Sequence, residues 1–181
     1  MQEIYINLDD SGKLTKKELI SVYGGIVFLS KKEKDKFITQ YRSIINDIKC
    51  KYCKNKSTCN KKCPEIKNTN IKNSDKRRIM NYIKKYFVVG LIINNQNVYD
   101  HIIENKAAKG RFIDYSLRRM IKEIINNQIS NHNISENRPL KVVVNIDEQT
   151  TKSNGYYNLH DGLVEELKYG ISNFNYACIY N

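Results

Sequence analysis

The sequence contains no tryptophan, only two prolines and three histidines, and no long run of apolar residues. A membrane-spanning helix needs about 20 consecutive apolar residues, so the sequence predicts a protein without such a span. The sequence also lacks a phosphate-binding P-loop, a dinucleotide fingerprint and a nucleophile elbow, which argues against the enzyme classes that use them. The three histidines, His101, His132 and His160, are not spaced like ligands of one metal ion.

Acidic residues are scarce as well, because 19 Asp+Glu stand against 31 Lys+Arg and give a formal net charge of +12. A small basic protein is attracted to polyanions, and nucleic acid is the usual one. The N-terminus, MQEIYINLDD, has no basic segment followed by an apolar one, so we predict a cytoplasmic protein. In the cytoplasm, thiols are usually bound to metal or free rather than paired in disulfides.

The order of strand-like and helix-like patterns predicts a single α/β domain over residues 1–181. Two strands come first, two helices and the insertion between them precede the third strand, and two more strands follow, each after a helix. This order predicts an antiparallel meander that continues into parallel, right-handed crossovers. A mixed five-stranded sheet of this kind, flanked by helices, is the ribonuclease-H-like plan. The predicted strands are 3–8, 19–30, 86–95, 140–148 and 174–181.

Four helical segments are predicted from apolar residues at helical spacing, at about 31–49, 73–86, 98–129 and 157–170. The second is expected to be capped by Asn73 or Ser74, and the third to break near Gly110. Gly24 and Gly25 are expected to weaken or bulge the second strand.

Two pairs of adjacent acids stand where two apolar strands end. Asp9 and Asp10 follow the first strand, and Asp147 and Glu148 close the fourth. If these strands are parallel neighbours, their carboxyl ends meet, and a cation stabilises crowded carboxylates. Oxygen ligands suit Mg²⁺ or Mn²⁺, and two such ions hydrolyse a phosphodiester. The alternative is that these acids only begin turns or cap helices.

Four cysteines form the pattern C-x2-C-x5-C-x3-C in a lysine-rich insertion at residues 50–63. Cys50, Cys53, Cys59 and Cys63 are close enough along the chain for a tetrahedral zinc site with a structural role. A metal would also fold a segment too polar to build its own core. Two disulfides or an iron–sulfur cluster are the alternatives. Cys178, in the last strand, is expected to be a buried, inert thiol.

Basic residues in and beside the insertion are expected to contact nucleic-acid phosphates, with Tyr52 stacking on a base. The alternative is an ordinary solvated, charged surface. The candidates are Lys51, Lys54, Lys61, Lys62, Lys72, Arg77 and Arg78.

The order of these motifs resembles an uncharacterised bacterial and phage family of ribonuclease-H-like proteins, known as domain of unknown function 3800. That family opens with a strand followed by Asp-Glu-Ser-Gly, which stands here as DDSG at residues 9–12. A Gly-Gly strand (YGGIVF) follows, then a Glu-x-Lys element (EIK, residues 65–67) before a basic helix. The segment KGRFIDYSLRRMI and a strand that ends in Asp147 complete the resemblance.

The resemblance implies a metal-dependent nuclease or phosphodiesterase that acts on nucleic acid. It assigns the Mg²⁺ or Mn²⁺ ligands to Asp9, Glu65 and Asp147, and it implies that Lys67 and Ser11 assist at a phosphate. Asp10 and Glu148 are the second candidates among the acids.

The alternative function is a catalytically inactive relative that binds nucleic acid or a protein, for example in conflict between phage and host. A third reading is an interaction module, held together by zinc, whose basic surface binds an acidic protein. Family members continue past the last strand into a helix with a further acid, which this sequence lacks before Asn181. The resemblance therefore implies one of two alternatives: the chain is a truncated or compact variant of the family, or a protein partner or a second copy completes the site.

Overall fold

The computed structural model describes residues 1–53, 66, 70–146, 159–169 and 176–180. The chain divides into two compact units. Met1–Ser30 and Val88–Asn181 form the sheet unit, and Lys31–Phe87 form the helical unit. Among the described residues, no helix is long and apolar enough to cross a membrane. The single domain over residues 1–181, with an insertion at 50–63, stays a prediction.

Among the described residues, the sheet unit contains the strands, apart from Phe87 at the start of the third, and three helices, and the helical unit contains two helices. A short 3-10 turn, Asn95–Asn97, lies between the third strand, Phe87–Asn94, and the third helix, Asp100–Glu104. In chain order the elements are β1 Gln2–Ser11, β2 Ile20–Phe28, α1 Lys31–Tyr52, α2 Asn73–Ile83, β3 Phe87–Asn94, α3 Asp100–Glu104, α4 Lys106–Ser130, β4 Leu140–Ile146, α5 Leu159–Tyr169 and β5 Tyr176–Tyr180.

The strands form a mixed sheet in the order β3-β2-β1-β4-β5. β1 is antiparallel to β2, parallel to β4, and β4 is parallel to β5. The parallel neighbours are far apart in sequence, and helices supply the crossover connections that such pairs need. The prediction of an α/β chain with a mixed sheet flanked by helices is therefore confirmed.

The core of the sheet unit lies between one face of the sheet and the helices α3, α4 and α5. On β1, Ile4 and Ile6 point into this core because side chains of a strand alternate between its two faces. On α4, Leu117, Ile121 and Ile125 recur every four residues and are almost fully buried. Each such side chain contributes roughly 1.5–3 kcal/mol through burial.

Two local expectations differ from the structure. The third predicted helix breaks at Asn105 rather than at Gly110, which is buried inside α4. The Asn105 side chain accepts hydrogen bonds from the amides of Ala107 (2.9 Å) and Ala108 (3.0 Å). Asn is a strong helix N-cap because it satisfies these otherwise unpaired amides, whereas one Gly inside a helix is tolerated.

The predicted cap of α2 is also wrong. The helix begins at Asn73, so Asn73 and Ser74 lie inside it, and the capping position falls on Lys72, whose side chain makes no capping hydrogen bond. Asp75 lies in the first turn instead, where a negative charge is favoured by the helix dipole.

The helical unit is held together by an aromatic cluster between α1 and the end of α2. Phe37 stacks on Tyr82 with ring centres 5.3 Å apart, and Tyr86 meets Phe37 edge to face at 4.8 Å. The Tyr82 hydroxyl bonds to the Gln40 side chain at 3.0 Å. Burial raises the pKa of Tyr82, and its contact with Tyr86 adds to that rise. These contacts fix α2 against α1.

Candidate metal centre and basic insertion

The acids Asp9 and Asp10 lie inside β1, not in a turn after it. Pairing with β2 continues through Asp9, Asp10 and Ser11, which lie opposite Gly24, Tyr23 and Val22. The described pairing with β4 reaches Leu8 opposite Ile146, the last described residue of that strand. The last three residues of β1 are therefore held by a described neighbouring strand on one side, and all three are exposed.

Strand alternation separates the two acids. Asp10 belongs to the face of β1 that carries Ile6 and Leu8, which pack into the core. Asp9 belongs to the opposite face, with Asn7. The Asp9 carboxylate also accepts a hydrogen bond from the Asp10 amide at 3.0 Å. Two acids that are adjacent in sequence are thus directed to different sides of the sheet.

Beside Asp9, on its own face, β1 and β4 are joined by two amide side chains. The Asn145 amide group donates to the Asn7 side-chain oxygen at 2.7 Å, and the two residues are register partners. The nitrogen of the Asn7 side chain is buried and has no partner among the described residues. This polar layer lies next to the carboxyl ends of both strands.

The second glycine of β2 allows a close approach to β1 just before Asp9. A Cβ atom on Gly25 would collide with the Asn7 carbonyl oxygen and would lie 2.8 Å from the Leu8 side chain. β2 runs unbroken from Ile20 to Phe28 in continuous register with β1, so the expected bulge is absent from this strand pair, and the expected weakening of the strand stays a prediction. Gly25 instead lets the two backbones pack tightly where the acids begin.

The turn after Ser11 depends on Gly12 and Glu18. Gly12 has a φ of +82°, and a Cβ there would lie 2.9 Å from both the Glu18 carboxylate and the Ile20 carbonyl oxygen. The Glu18 carboxylate accepts a hydrogen bond from the Lys13 amide at 2.7 Å. Glycine is therefore required at this position by both conformation and space.

A buried asparagine organises the rest of this hairpin loop. Asn95 is fully buried, and its side-chain nitrogen faces the carbonyl oxygens of Lys13 (3.0 Å), Glu18 (3.1 Å) and Thr15 (3.2 Å). Its side-chain oxygen accepts a hydrogen bond from the Ser21 hydroxyl at 3.0 Å. No sequence pattern singled out this residue, because the loop carbonyl groups that it contacts lie more than 70 residues away in the sequence.

Lys16 also attaches the loop after β1 to the segment that follows β3. Its ammonium group donates to the carbonyl oxygens of Val98 (2.7 Å) and Gln96 (3.1 Å) and pairs with Asp100 at 3.1 Å. Gln96 returns a side-chain hydrogen bond to the Lys16 carbonyl oxygen at 3.0 Å. The loop that follows the acids is therefore tied to the segment after β3 at two points.

The other predicted acids, and the lysine predicted to assist them, lie outside the described residues: Glu65, Lys67, Asp147 and Glu148. Within the described ranges, no group of three His, Cys, Asp or Glu side chains is arranged to hold a metal ion. The predicted metal site thus has Asp9, Asp10 and Ser11 in the described part of the chain.

Half of the predicted zinc ligands are described. Helix α1 runs to Tyr52, beyond the expected end, so Cys50 lies in its last turn. Cys50 is exposed and Cys53 is half-buried, and neither forms a disulfide with another described residue. The Cys53 amide donates to the Cys50 carbonyl oxygen at 3.4 Å. Cys59 and Cys63 lie outside the described residues.

A charged cluster closes the base of the insertion. The buried Asp75 carboxylate accepts hydrogen bonds from the Lys51 ammonium (2.8 and 3.0 Å) and the Tyr52 hydroxyl (2.7 Å). These hydrogen bonds lower the pKa of Asp75, and the bond to Asp75 raises the pKa of Lys51. The Tyr52 hydroxyl also accepts a bond from the Lys72 amide at 2.9 Å. The last turn of α1 and the first turn of α2 are thereby joined.

The basic residues predicted to bind nucleic acid have different surroundings. Lys51 is engaged with Asp75, and Arg78 pairs with Asp47 at 2.8 Å. Lys72 and Arg77 are exposed. The hydroxyl of Tyr52, predicted to stack on a base, is used in the cluster described above. Three further candidates lie outside the described residues: Lys54, Lys61 and Lys62.

Comparisons with known protein families and with curated proteins find no match for this chain.

Proposed function

We propose that the protein is a metal-dependent nuclease or phosphodiesterase of ribonuclease-H-like fold. The strand order β3-β2-β1-β4-β5 supports this proposal. In this sheet β2 is antiparallel to β1, whereas β4 and β5 run in the same direction as β1. These are the order and direction that the ribonuclease-H-like plan requires. In open sheets with parallel strands, sites form at the carboxyl ends of the strands.

The observation that carries the proposal is the position of Asp9. It is exposed at the carboxyl end of β1, one residue beyond the last described register pair, Leu8 with Ile146. The next residue after Ile146 in the sequence is Asp147. Asp9 and Asp147 thus each follow one residue of a register pair on adjacent parallel strands, and two acids in such positions are suited to share a cation.

In this proposal, Asp9, Asp147 and Glu65 hold Mg²⁺ or Mn²⁺, with Asp10 and Glu148 as second candidates. The bound ions would activate a water molecule and stabilise the leaving oxygen of a phosphodiester. The contribution of the chain is to hold the Asp9 carboxylate in place. Before Asp9 in β1, the close contact with Gly25 and the Asn7–Asn145 hydrogen bond position the strand. After Asp9, the loop that follows Gly12 is held by its hydrogen bonds to Asn95 and by those of Lys16.

The proposed zinc site lies in the insertion and has a structural role. Cys50 and Cys53, three residues apart at the end of α1, would supply two thiolates, and Cys59 and Cys63 the others. Four protein ligands leave no open position on the metal, so this site would fold the insertion rather than catalyse.

The proposal is tested by cleavage assays with fluorescent single-stranded and duplex DNA and RNA in Mg²⁺ or Mn²⁺. We expect Asp9→Asn to lower the cleavage rate at least about a hundredfold, because removing a metal ligand removes several kcal/mol of transition-state stabilisation. Asp10→Asn is the matched control, since it removes the neighbouring charge on the opposite face. We expect it to have the smaller effect.

Two results would contradict the proposal. One is equal activity of the wild type and Asp9→Asn. The other is the absence of cleavage on all four substrates while the wild type binds them, which would favour the inactive binding protein.

A further inference from the structure

The positive charge of the protein is concentrated in one unit. The helical unit, Lys31–Phe87, contains 18 of the 31 Lys+Arg residues but only 5 of the 19 Asp+Glu residues. Its formal charge is therefore +13, and the sheet unit, which carries the candidate acids, has a formal charge of −1. A field of this kind attracts polyanions to the helical unit specifically.

The helical unit also has an open groove that presents cations and hydrogen-bond donors together. Ile44 from α1 and Tyr82 from α2 contribute apolar surface to it. The polar residues recur along one side of α2 and its C-terminal extension at helical spacing. They are Ser74, Arg77, Arg78, Asn81 and Lys85.

The cations of this groove differ in availability. Arg78 is paired with Asp47 and so links α2 to α1. Arg77 and Lys85 are exposed and have no acidic partner within the described ranges. The Lys85 ammonium lies 6.0 Å from the centre of the Tyr82 ring, on the border of the groove. Arg77 and Lys85 are thus available to an anion.

We propose that this groove is the nucleic-acid grip of the protein, and that Arg77 and Lys85 are its phosphate-binding residues. The choice of nucleic acid as the polyanion rests on the proposed function. Arg, Lys, Ser and Asn are the side chains that most often contact the sugar–phosphate backbone. Lys85 lies eight positions after Arg77, so the two cations are spaced along the groove and can contact different phosphates of one strand.

This assignment differs from the one predicted from sequence. Lys51 is no longer proposed to bind phosphate, because its ammonium group is bound by Asp75. Lys85 is added to the proposed residues because it lines the groove, although it lies far from the cysteines in sequence. The grip is therefore built on the two packed helices, whose geometry is fixed by the aromatic cluster.

The test uses the full chain carrying Asp9→Asn, so that the probe is not cut. Binding of a fluorescein-labelled single strand of about 20 nucleotides, longer than one typical binding site, is followed by fluorescence anisotropy at several salt concentrations. DNA and RNA strands are both used. We expect Arg77→Ala with Lys85→Ala to weaken binding roughly fivefold or more and to lower the salt slope by about 1.4.

The matched control is Arg119→Ala with Arg138→Ala, which removes the same charge from exposed positions of the sheet unit. We expect its affinity to stay within about twofold of the parent, because neither residue lines the groove. Arg77→Lys with Lys85→Arg keeps both charges and should keep the salt slope. Circular dichroism of every variant separates a loss of binding from a loss of structure.

Equal weakening by both alanine pairs would overturn the inference, since the charge of the whole protein would then explain binding. Unchanged binding by the Arg77 and Lys85 pair would overturn it as well. Binding to phosphatidylserine vesicles that depends on this pair, with oligonucleotide binding unaffected, would assign the groove to a membrane surface instead.

Failure of this inference is distinguishable from failure of the proposed function. If the binding results are as expected and the protein with Asp9 intact does not cleave, the grip stands and the nuclease proposal fails. If cleavage requires Asp9 but the groove variants bind normally, the nuclease proposal stands and the grip lies elsewhere.

Discussion

Gly24 and Gly25 are adjacent in sequence but differ in what surrounds them. A Cβ on Gly25 would collide with the Asn7 carbonyl oxygen, whereas a Cβ on Gly24 would meet nothing closer than the Val89 carbonyl oxygen at 4.0 Å. We expect Gly25→Ala to lower the free energy of unfolding by about 1–3 kcal/mol, because the strands must separate to admit the methyl group.

The control for this prediction is Gly24→Ala, which has room for the methyl group. Urea unfolding of both variants measures the difference in stability. Equal stabilities of the two alanine variants would show that β1 and β2 are not packed as closely as described.

Asn95 is the second residue on which the geometry of the acids depends. Its side chain is fully buried and bonds to Lys13, Thr15, Glu18 and Ser21. We expect Asn95→Ala to cost about 2–4 kcal/mol of stability, because several buried polar groups would lose their partner. Asn97→Ala, two residues later and exposed, should change stability by less than about 0.5 kcal/mol.

Chemical denaturation again provides the measurement. A stability of Asn95→Ala equal to that of Asn97→Ala would contradict the role of Asn95 as the organiser of the loop.

At the scale of single residues, the sequence predicts the candidate metal ligands better than it predicts the residues that hold them in position. Asp9 and Asp10 were candidates because carboxylates after an apolar strand are a local signal. The division of the two acids between faces became evident only when β1 proved to continue through Ser11. Asn95 lies more than 70 residues from the loop that it holds, and no local pattern encodes such a contact.

Among the elements, the junction of α1 and α2 depends on pH through Asp75. Its pKa is lowered from 3.8 by hydrogen bonds from Lys51 and Tyr52, so its contribution to stability is present above that value. The contribution is lost as the pH falls through the lowered pKa. The pKa of Lys51 is raised from 10.5, so its contribution is lost only as the pH rises above that value.

We therefore expect Asp75→Asn to destabilise the protein between about pH 4 and pH 10 and to have little effect at lower pH. Asp47→Asn is the matched control, because Asp47 pairs with Arg78 at the surface and such pairs contribute under about 1 kcal/mol. Denaturation midpoints as a function of pH test this. A deficit of Asp75→Asn that persists undiminished at pH 2 would contradict the prediction.

The insertion between these helices provides a prediction about metal content. If Cys50, Cys53, Cys59 and Cys63 bind zinc, the purified protein should contain about one zinc ion per chain. Cys50→Ser should lose it, because one of four ligands is removed, whereas Cys178→Ser should retain it. Elemental analysis measures the zinc content. Equal zinc content of the two variants, or its absence from the wild type, would contradict the zinc site.

The boundaries of elements were predicted where local chemistry determines them. The apolar run of β3 was predicted to within one residue at each end, and β4 begins at the predicted residue, Leu140. The ends of β1 and α1 were underestimated, because pairing with β2 and contacts of Lys51 and Tyr52 with Asp75 extend them. Such contacts are tertiary and outweigh the local preference of polar residues for turns.

For the whole molecule, the alternation of strands and helices was sufficient to predict an α/β chain with a mixed sheet. The concentration of charge in Lys31–Phe87 was present in the sequence, but it became meaningful only when the boundaries of the units were known. From this we propose separate roles for the two units: the acids at the end of β1 bind metal, and the helical unit binds the polyanion.

The central claim is that Asp9 is a metal ligand. Calorimetric titration of Mg²⁺ or Mn²⁺ into protein purified without chelator tests it most directly, with Asp9→Asn and Asp10→Asn measured alongside. The proposal predicts binding by the wild type that is lost in Asp9→Asn and largely retained in Asp10→Asn. No binding by the wild type, or the same affinity in Asp9→Asn, would contradict it.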